Sequence, residues 1–186
     1  PGVEDKTITR NRDHVGDPDL DPRKAAVYEA TATLLIPKPE DAGIFKPLIE
    51  EFVDVVHQGG GLCFYDQANA NGVLGITRAR EAGFDAWHFN LHKTFSTPHG
   101  GGGPGAGPIA VSERLIPFLP MPIVTKKAAG YNWQTLHDCP QSIGRLSTFA
   151  GNTASLLLAY IYIRLLGKAG LHRVAEFATF NANYLM

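Results

Sequence analysis

His88-Phe89-Asn90-Leu91-His92-Lys93-Thr94-Phe95, followed by Pro98-His99 and then Gly100-Gly101-Gly102-Gly103-Pro104-Gly105, is the stretch that decides the fold. Apolar and polar residues alternate over 86–91. Trp87, Phe89 and Leu91 share one face, and His88, Asn90 and His92 share the other. Alternation with period two is the mark of a strand. This strand delivers a lysine directly into a glycine-rich loop. Upstream, Leu62, Cys63, Phe64 and Tyr65 form a second strand-like run, closed by Asp66-Gln67-Ala68-Asn69. An acid at one strand end and a lysine at the next suggest a pyridoxal-phosphate (PLP) site. Lysine can hold the aldehyde as a Schiff base, and aspartate can keep the pyridine nitrogen protonated.

Working outward, the rest of the chain supplies the frame for such a site. Residues 32–36 are a short apolar run stopped by Pro37-Lys38-Pro39. Phe45, Leu48, Ile49, Phe52, Val53 and Val56 recur at helical spacing until Gly59-Gly60-Gly61. Strand, helix and strand in this order make a βαβ unit, and a short helix is expected over 77–82. Residues 108–111 read as a brief strand. Ser112 is placed to cap a short helix that Pro117 and Pro120 break, and residues 121–145 read as irregular. Asn152 or Thr153 caps a helix over 154–166. Gly167 and Gly170 punctuate it, and a second helix follows over 171–184. The predicted class is α/β, a mostly parallel sheet with flanking helices and ligand at the strand carboxyl ends. Three parts are expected: an arm or linker over 1–24, the α/β portion over 25–150, and helices over 151–186.

Bulk composition excludes several classes. The 186 residues suffice for one domain with a real core. A formal net charge of -1 gives no electrostatic reason to expect nucleic acid or an anionic membrane as partner. Two cysteines, Cys63 and Cys139, imply no disulfide framework and point to a reducing compartment. No segment is expected to reach the roughly 18 apolar residues of a membrane span.

Each candidate site residue also has a plainer reading. Lys93 needs a partly desolvated position to lose its proton, and Leu91 and Phe95 are placed to supply one; most lysines are simply solvated. Asp66 is either the pyridinium partner or a turn former. Ala68 is small enough to pack flat on a ring, and Asn69 either bonds the ring oxygen or belongs to the turn Asn69-Ala70-Asn71-Gly72. His88-x-x-x-His92 suits a metal only on a helix, and the alternation argues for a strand, so no metal site is expected. His92 and His99 read as lining residues able to relay a proton, while for His88 a structural histidine bonded to backbone is the competing reading. Thr94, Ser96 and Thr97 are candidate phosphate ligands, and Gly100 and Gly101 let backbone approach a cofactor closely. Arg145 in Ser142-Ile143-Gly144-Arg145 is a candidate partner for a carboxylate or phosphate.

Five motifs carry a family resemblance: Tyr65-Asp66-Gln67-Ala68-Asn69, Gly83-Phe84-Asp85, Asn90-Leu91-His92-Lys93-Thr94-Phe95, Pro98-His99 with its four glycines, and Ser142-Ile143-Gly144-Arg145. Together they make residues 32–184 resemble the catalytic half of glycine dehydrogenase (decarboxylating), the P-protein of the glycine cleavage system. The resemblance implies the large domain of a fold-type-I PLP-dependent enzyme, with Lys93, His92 and His99 at the chemistry and Asp66, Ala68, Asn69, Lys93, Thr94, Gly100 and Gly101 around PLP. It implies decarboxylation of glycine and transfer of the aminomethyl group to the lipoyl arm of the H-protein. It further implies a homo- or hetero-oligomer with the other P-protein half, in the bacterial cytoplasm or the mitochondrial matrix. The chain departs from the family at Gln67, where a glycine is expected and the added side chain threatens to crowd the pocket. It departs again at Pro37-Lys38-Pro39-Glu40-Asp41, and it lacks the family's amino-terminal part and small domain. The expectation is therefore a fragment unable to decarboxylate glycine alone. Another fold-type-I enzyme, such as an aminotransferase or aldolase, and a non-catalytic partner subunit remain the alternatives.

Overall fold

The computed structural model describes residues 27, 31–37, 48–99 and 101–186. The expected arm over 1–24, the turn over 38–41, the helix start at Phe45 and the candidate ligand Gly100 lie outside the described residues.

Four strands, β1 (Thr33–Pro37), β2 (Leu62–Gln67), β3 (Ala86–Phe89) and β4 (Ile109–Val111), form one sheet in the order β1-β2-β3-β4. The first three are parallel, and β4 runs antiparallel to β3. Among the described residues β1 is therefore an edge, paired on one side only. Helix α1 (Ile49–Gln58) links β1 to β2. Its apolar stripe Ile49, Phe52, Val53 and Val56 is buried, with Glu50 and Glu51 at its positive end and His57 at its negative end. Gly61 ends the turn into β2. A Cβ there would meet Val56 Cγ1 at 2.8 Å and the Thr31 carbonyl at 2.9 Å, so only glycine fits.

Burial alternates along β2, with Cys63, Tyr65 and Gln67 buried and Leu62, Phe64 and Asp66 less so. Cys63 and Tyr65 join Ile36, Val53, Val56 and Phe84 in the main core, where the Tyr65 and Phe84 rings stack at 4.7 Å. Full burial of a side chain such as Val53 stabilises the fold by about 1.5–3 kcal/mol. Phe64 and Asp66 belong to the opposite sheet face, as does Leu35, which pairs with Phe64 and is 64% exposed. Gln67 is buried on the α1 side, so its side chain does not crowd the face that carries Asp66.

Four local expectations are corrected. The strand predicted over 86–91 ends at Phe89, and Leu91–Thr94 forms a single helical turn, α2. Leu91 and Phe95 are drawn into a second apolar cluster, which favours the turn over further alternation. Residues 77–82 form hydrogen-bonded turns instead of a helix, stopped by Gly83 at φ 83°. Ser112 makes no side-chain cap on the following 3-10 helix, Glu113–Phe118, which contains Pro117. Residues 121–145 are not wholly irregular, since β5 (Ile123–Lys127) and β6 (Gly130–Gln134) form an antiparallel hairpin.

Helix α3 (Thr153–Leu185) begins at Asn152, whose side chain accepts from the Ser155 N–H at 3.4 Å. Ala159 and Tyr162 pack it against Leu91 and Phe95 of the second cluster. At 33 residues α3 is long and apolar enough to cross a membrane by length and composition, contrary to expectation. Its backbone breaks at Gly167 (φ 61°, ψ -174°), however. The piece before the break spans roughly 21 Å at 1.5 Å per residue, short of a ~30 Å hydrocarbon core. The piece after it carries Lys168, His172, Arg173 and Glu176.

Candidate functional site

The carboxyl ends of β2 and β3 place the candidate residues on one edge. Asp66 is the next-to-last residue of β2, and its Oδ1 accepts the Ala68 N–H at 2.8 Å, which turns the chain off the strand. The same oxygen lies 3.5 Å from His88 Nε2 across the β2–β3 register. Oδ2 has no partner among the described residues, and the Asp66 side chain is 39% exposed. This is a carboxylate held by one oxygen and open at the other. Asn69 Oδ1 accepts from the Asn71 N–H at 3.0 Å, so the turn reading of that residue holds, while its amide N–H groups stay available to a ligand.

Beyond β3, the Asn90 N–H bonds the Ala68 carbonyl at 3.3 Å and fixes the two loops together. Thr94 adds a second tie. Its buried Oγ1 accepts the Ala70 N–H at 2.9 Å, a bond that uses a lone pair and leaves the hydroxyl's own proton to donate. Lys93 sits between them on α2 and is exposed, without an acidic partner among the described residues. The expected desolvation by Leu91 and Phe95 does not occur, because a turn of helix sends those side chains inward and the lysine outward. Thr97 is buried with an unpartnered Oγ1, and Ser96 next to it has φ 55°, uncommon for a non-glycine residue.

His92 and His99 come together, with ring centroids 4.5 Å apart. Both accept backbone N–H groups at Nδ1, His92 from Ala106 at 3.3 Å and His99 from Gly102 at 3.1 Å. Each Nδ1 is then an acceptor, and the proton of the neutral ring sits on Nε2. The glycine loop wraps these rings. A Cβ at Gly105 would lie 3.0 Å from His92 Nδ1, whereas Gly101 (φ 76°) faces open space. Arg145 lies elsewhere, lining a cavity of about 310 Å³ with Met121, Pro122, Thr135, Leu136 and His137.

At the opposite, amino-terminal edge of the same strands is a group that the sequence reading did not assemble. Asp85 accepts from the Cys63 N–H at 2.8 Å, from His57 Nε2 at 2.9 Å and from Arg114 at 2.5 Å. Burial pushes its carboxyl upward, and these three donors outweigh it and hold the group below the ordinary carboxylate value. Burial, reinforced by the Asp85 charge, pushes the Cys63 thiol up to about 12. His57, Cys63 and Asp85 stand close enough to ligate one metal ion. Arg114 already places a positive charge there, and a protonated thiol is a poor metal ligand. The network reads as structural. Its only signal in the sequence was Gly83-Phe84-Asp85, since His57 and Arg114 are distant along the chain.

Comparison with known proteins shows what this chain resembles. No family model matches the chain. It is 56% identical over 174 residues to the "Probable glycine dehydrogenase (decarboxylating) subunit 2" of Thioalkalivibrio sulfidiphilus, covering 94% of the chain and 35% of that protein. It is 55% identical over 184 residues to the protein of the same name in Methylococcus capsulatus, covering 99% of the chain and 37% of that protein. The chain thus spans about a third of the length of the curated relatives it matches. Among solved structures it resembles a cysteine desulfurase from Thermococcus onnurineus NA1, with TM-score 0.60 and 17% identity over 90% of the chain and 40% of that structure. It also resembles a sphingosine-1-phosphate lyase from Burkholderia pseudomallei, with TM-score 0.56 and 16% identity over 86% of the chain and 36% of that structure. Those likenesses show the fold alone. At this identity over nearly its whole length, the chain matches a section of glycine dehydrogenase (decarboxylating) subunit 2, set on the large-domain framework of fold-type-I enzymes.

Proposed function

We propose that this chain contributes the lysine-bearing edge of a PLP site in an enzyme that decarboxylates glycine and passes the aminomethyl group to the lipoyl arm of an H-protein. The observation that carries the reading is the placement, on one sheet edge beside a glycine loop, of an open carboxylate, Asp66, and an exposed lysine, Lys93, that has no acidic partner among the described residues. The donor set fits the cofactor. Asp66 keeps one oxygen free for a protonated ring nitrogen, Lys93 offers an amine for the aldehyde, and Ala68 leaves room for a flat ring. Asn69 and the glycine loop around Gly101 offer polar and backbone groups at the rim, and Thr97 holds a buried hydroxyl without a partner. Thr94 belongs to the same rim through its tie to Ala70.

When bound, PLP supplies an electron sink for the pair left behind as the substrate carboxylate departs. The protein's own share is electrostatic and positional. Asp66 keeps positive charge on the ring nitrogen. Lys93 would hold the aldehyde, and its free amine would be placed to act as a base. His92 and His99 present Nε2–H groups, the arrangement needed to donate or relay a proton.

Two features support incompleteness of the isolated chain. Lys93 is exposed where the chemistry needs desolvation. The outer face of α3 is also uncovered, with Leu157, Tyr160, Leu165, Phe180 and Tyr184 all more than half exposed. Apolar surface on that scale marks an interface, and the rest of a subunit-length chain is the natural occupant. On this reading the chain alone does not turn over glycine.

The test is a PLP titration of the purified chain and of Lys93→Ala. A saturable visible band present in the first and lost in the second supports the reading. A band of equal strength in both would remove Lys93 from the site. Exchange of labelled bicarbonate into glycine, assayed with H-protein and a subunit-length relative, then separates this reaction from an aminotransferase or aldolase.

A further inference from the structure

The imidazole of His88 has no assigned role, and its surroundings are specific. It pairs in register with Asp66 on the neighbouring strand, with Nε2 3.5 Å from Oδ1. The Phe64 ring, two residues before Asp66 on the same sheet face, stacks on it at 5.5 Å and an interplanar angle of 28°. Its Nδ1 is buried without a hydrogen-bond partner. These contacts decide the tautomer. A proton on Nδ1 would be a buried orphan donor and would turn the bare Nε2 lone pair toward the carboxylate lone pairs. Double protonation would leave the same orphan N–H. The neutral ring with its proton on Nε2, facing Asp66, avoids both costs.

We propose that His88 is a positioning residue for Asp66. Together with the Ala68 N–H it supplies a second donor to Oδ1, so that Oδ2 alone stays open toward the ring nitrogen of the cofactor. The role rests on the PLP reading above, but the pair itself exists without cofactor. Phe64 acts as the shelf that sets the ring plane. At 3.5 Å the contact stands at ion-pair distance and is not a formed hydrogen bond in the free protein; catalytic hydrogen bonds are often long before the site is completed and tighten afterwards.

Nitrogen NMR of the histidine side chains in the free chain tests the pair directly. The expected result is His88 protonated at Nε2 with a bare Nδ1, and loss of that preference in Asp66→Ala. A proton on Nδ1, or a tautomer indifferent to Asp66→Ala, overturns the proposal. PLP titration of folded variants tests the consequence. His88→Leu should bind PLP about tenfold more weakly, equivalent to about 1.4 kcal/mol, with a displaced visible band. His88→Gln, which keeps a donor at a similar reach, should restore much of both. Wild-type binding by His88→Leu, or equal loss in both variants, overturns the proposal. If the unmodified chain shows no lysine-dependent band, the PLP reading fails while the NMR result still decides the pair.

Discussion

Asp85 and Asp66 stand at opposite ends of the same parallel strands, and their surroundings differ sharply. Asp85 is buried and accepts from a backbone N–H, an imidazole and a guanidinium. Asp66 is open to solvent, bonded through one oxygen only. The first carboxylate is saturated and can do nothing but hold β2, β3, α1 and the Glu113–Phe118 helix together. The second keeps acceptor capacity in reserve. The residue type is the same at the two positions and both belong to the β2–β3 pair, Asp66 inside β2 and Asp85 just before β3, so the number of donors aimed at each carboxylate separates structure from chemistry.

The largest effect that would break this contrast is on stability. Asp85→Ala strands His57, Arg114 and the Cys63 N–H together, and should cost about 3 kcal/mol or more in urea unfolding. Asp66→Ala should cost less than about 1 kcal/mol, because water replaces its single backbone bond. Equal losses at both sites would end the distinction. Next comes Gly105→Ala, which drives a methyl against the His92 ring at 3.0 Å. It should destabilise by about 1–3 kcal/mol and shift the His92 ring resonances, whereas Gly101→Ala should leave those resonances in place.

A pH series sharpens the comparison further. Asp85 is depressed in the folded state. Its contribution is therefore fully present above the unfolded value near 3.9, and is lost as pH falls through the folded value. Stability measured from pH 7 to 5 should show no loss from this group. Below about pH 4 the chain should weaken, and the deficit of Asp85→Asn relative to wild type should shrink. The smallest effect concerns the thiols. With Cys63 buried and raised to about 12, alkylation near pH 8 should mark Cys139 and reach Cys63 only on unfolding, as mass spectrometry would show.

The sequence made the frame legible where burial imposes a period. Ile49, Phe52, Val53 and Val56 announce α1, and Leu62 to Tyr65 announce β2, because each packs into one core. The β5–β6 hairpin escaped notice for the converse reason. Val124, Tyr131 and Trp133 are exposed, and its two turn residues are Ala128 and Ala129, without the Asn-Gly chemistry that marks tight hairpins. At the site, the edge that gathers Asp66, Lys93, His92 and His99 followed from strand ends. The exposure of Lys93 did not, since desolvation depends on what packs over a residue and not on its neighbours in sequence. The Asp66–His88 pair required register, which alternation alone leaves undetermined.

Strand β1 has a further consequence. Among the described residues its outer side pairs with no other strand and leaves a row of N–H and C=O groups, with Leu35 exposed on the sheet face beside them. Such an edge accepts any extended strand, including the β1 of a second molecule. Concentrated solutions of the isolated chain should therefore self-associate through backbone bonds that salt does not screen. A lysine placed at Leu35 is the change that would keep the chain dispersed.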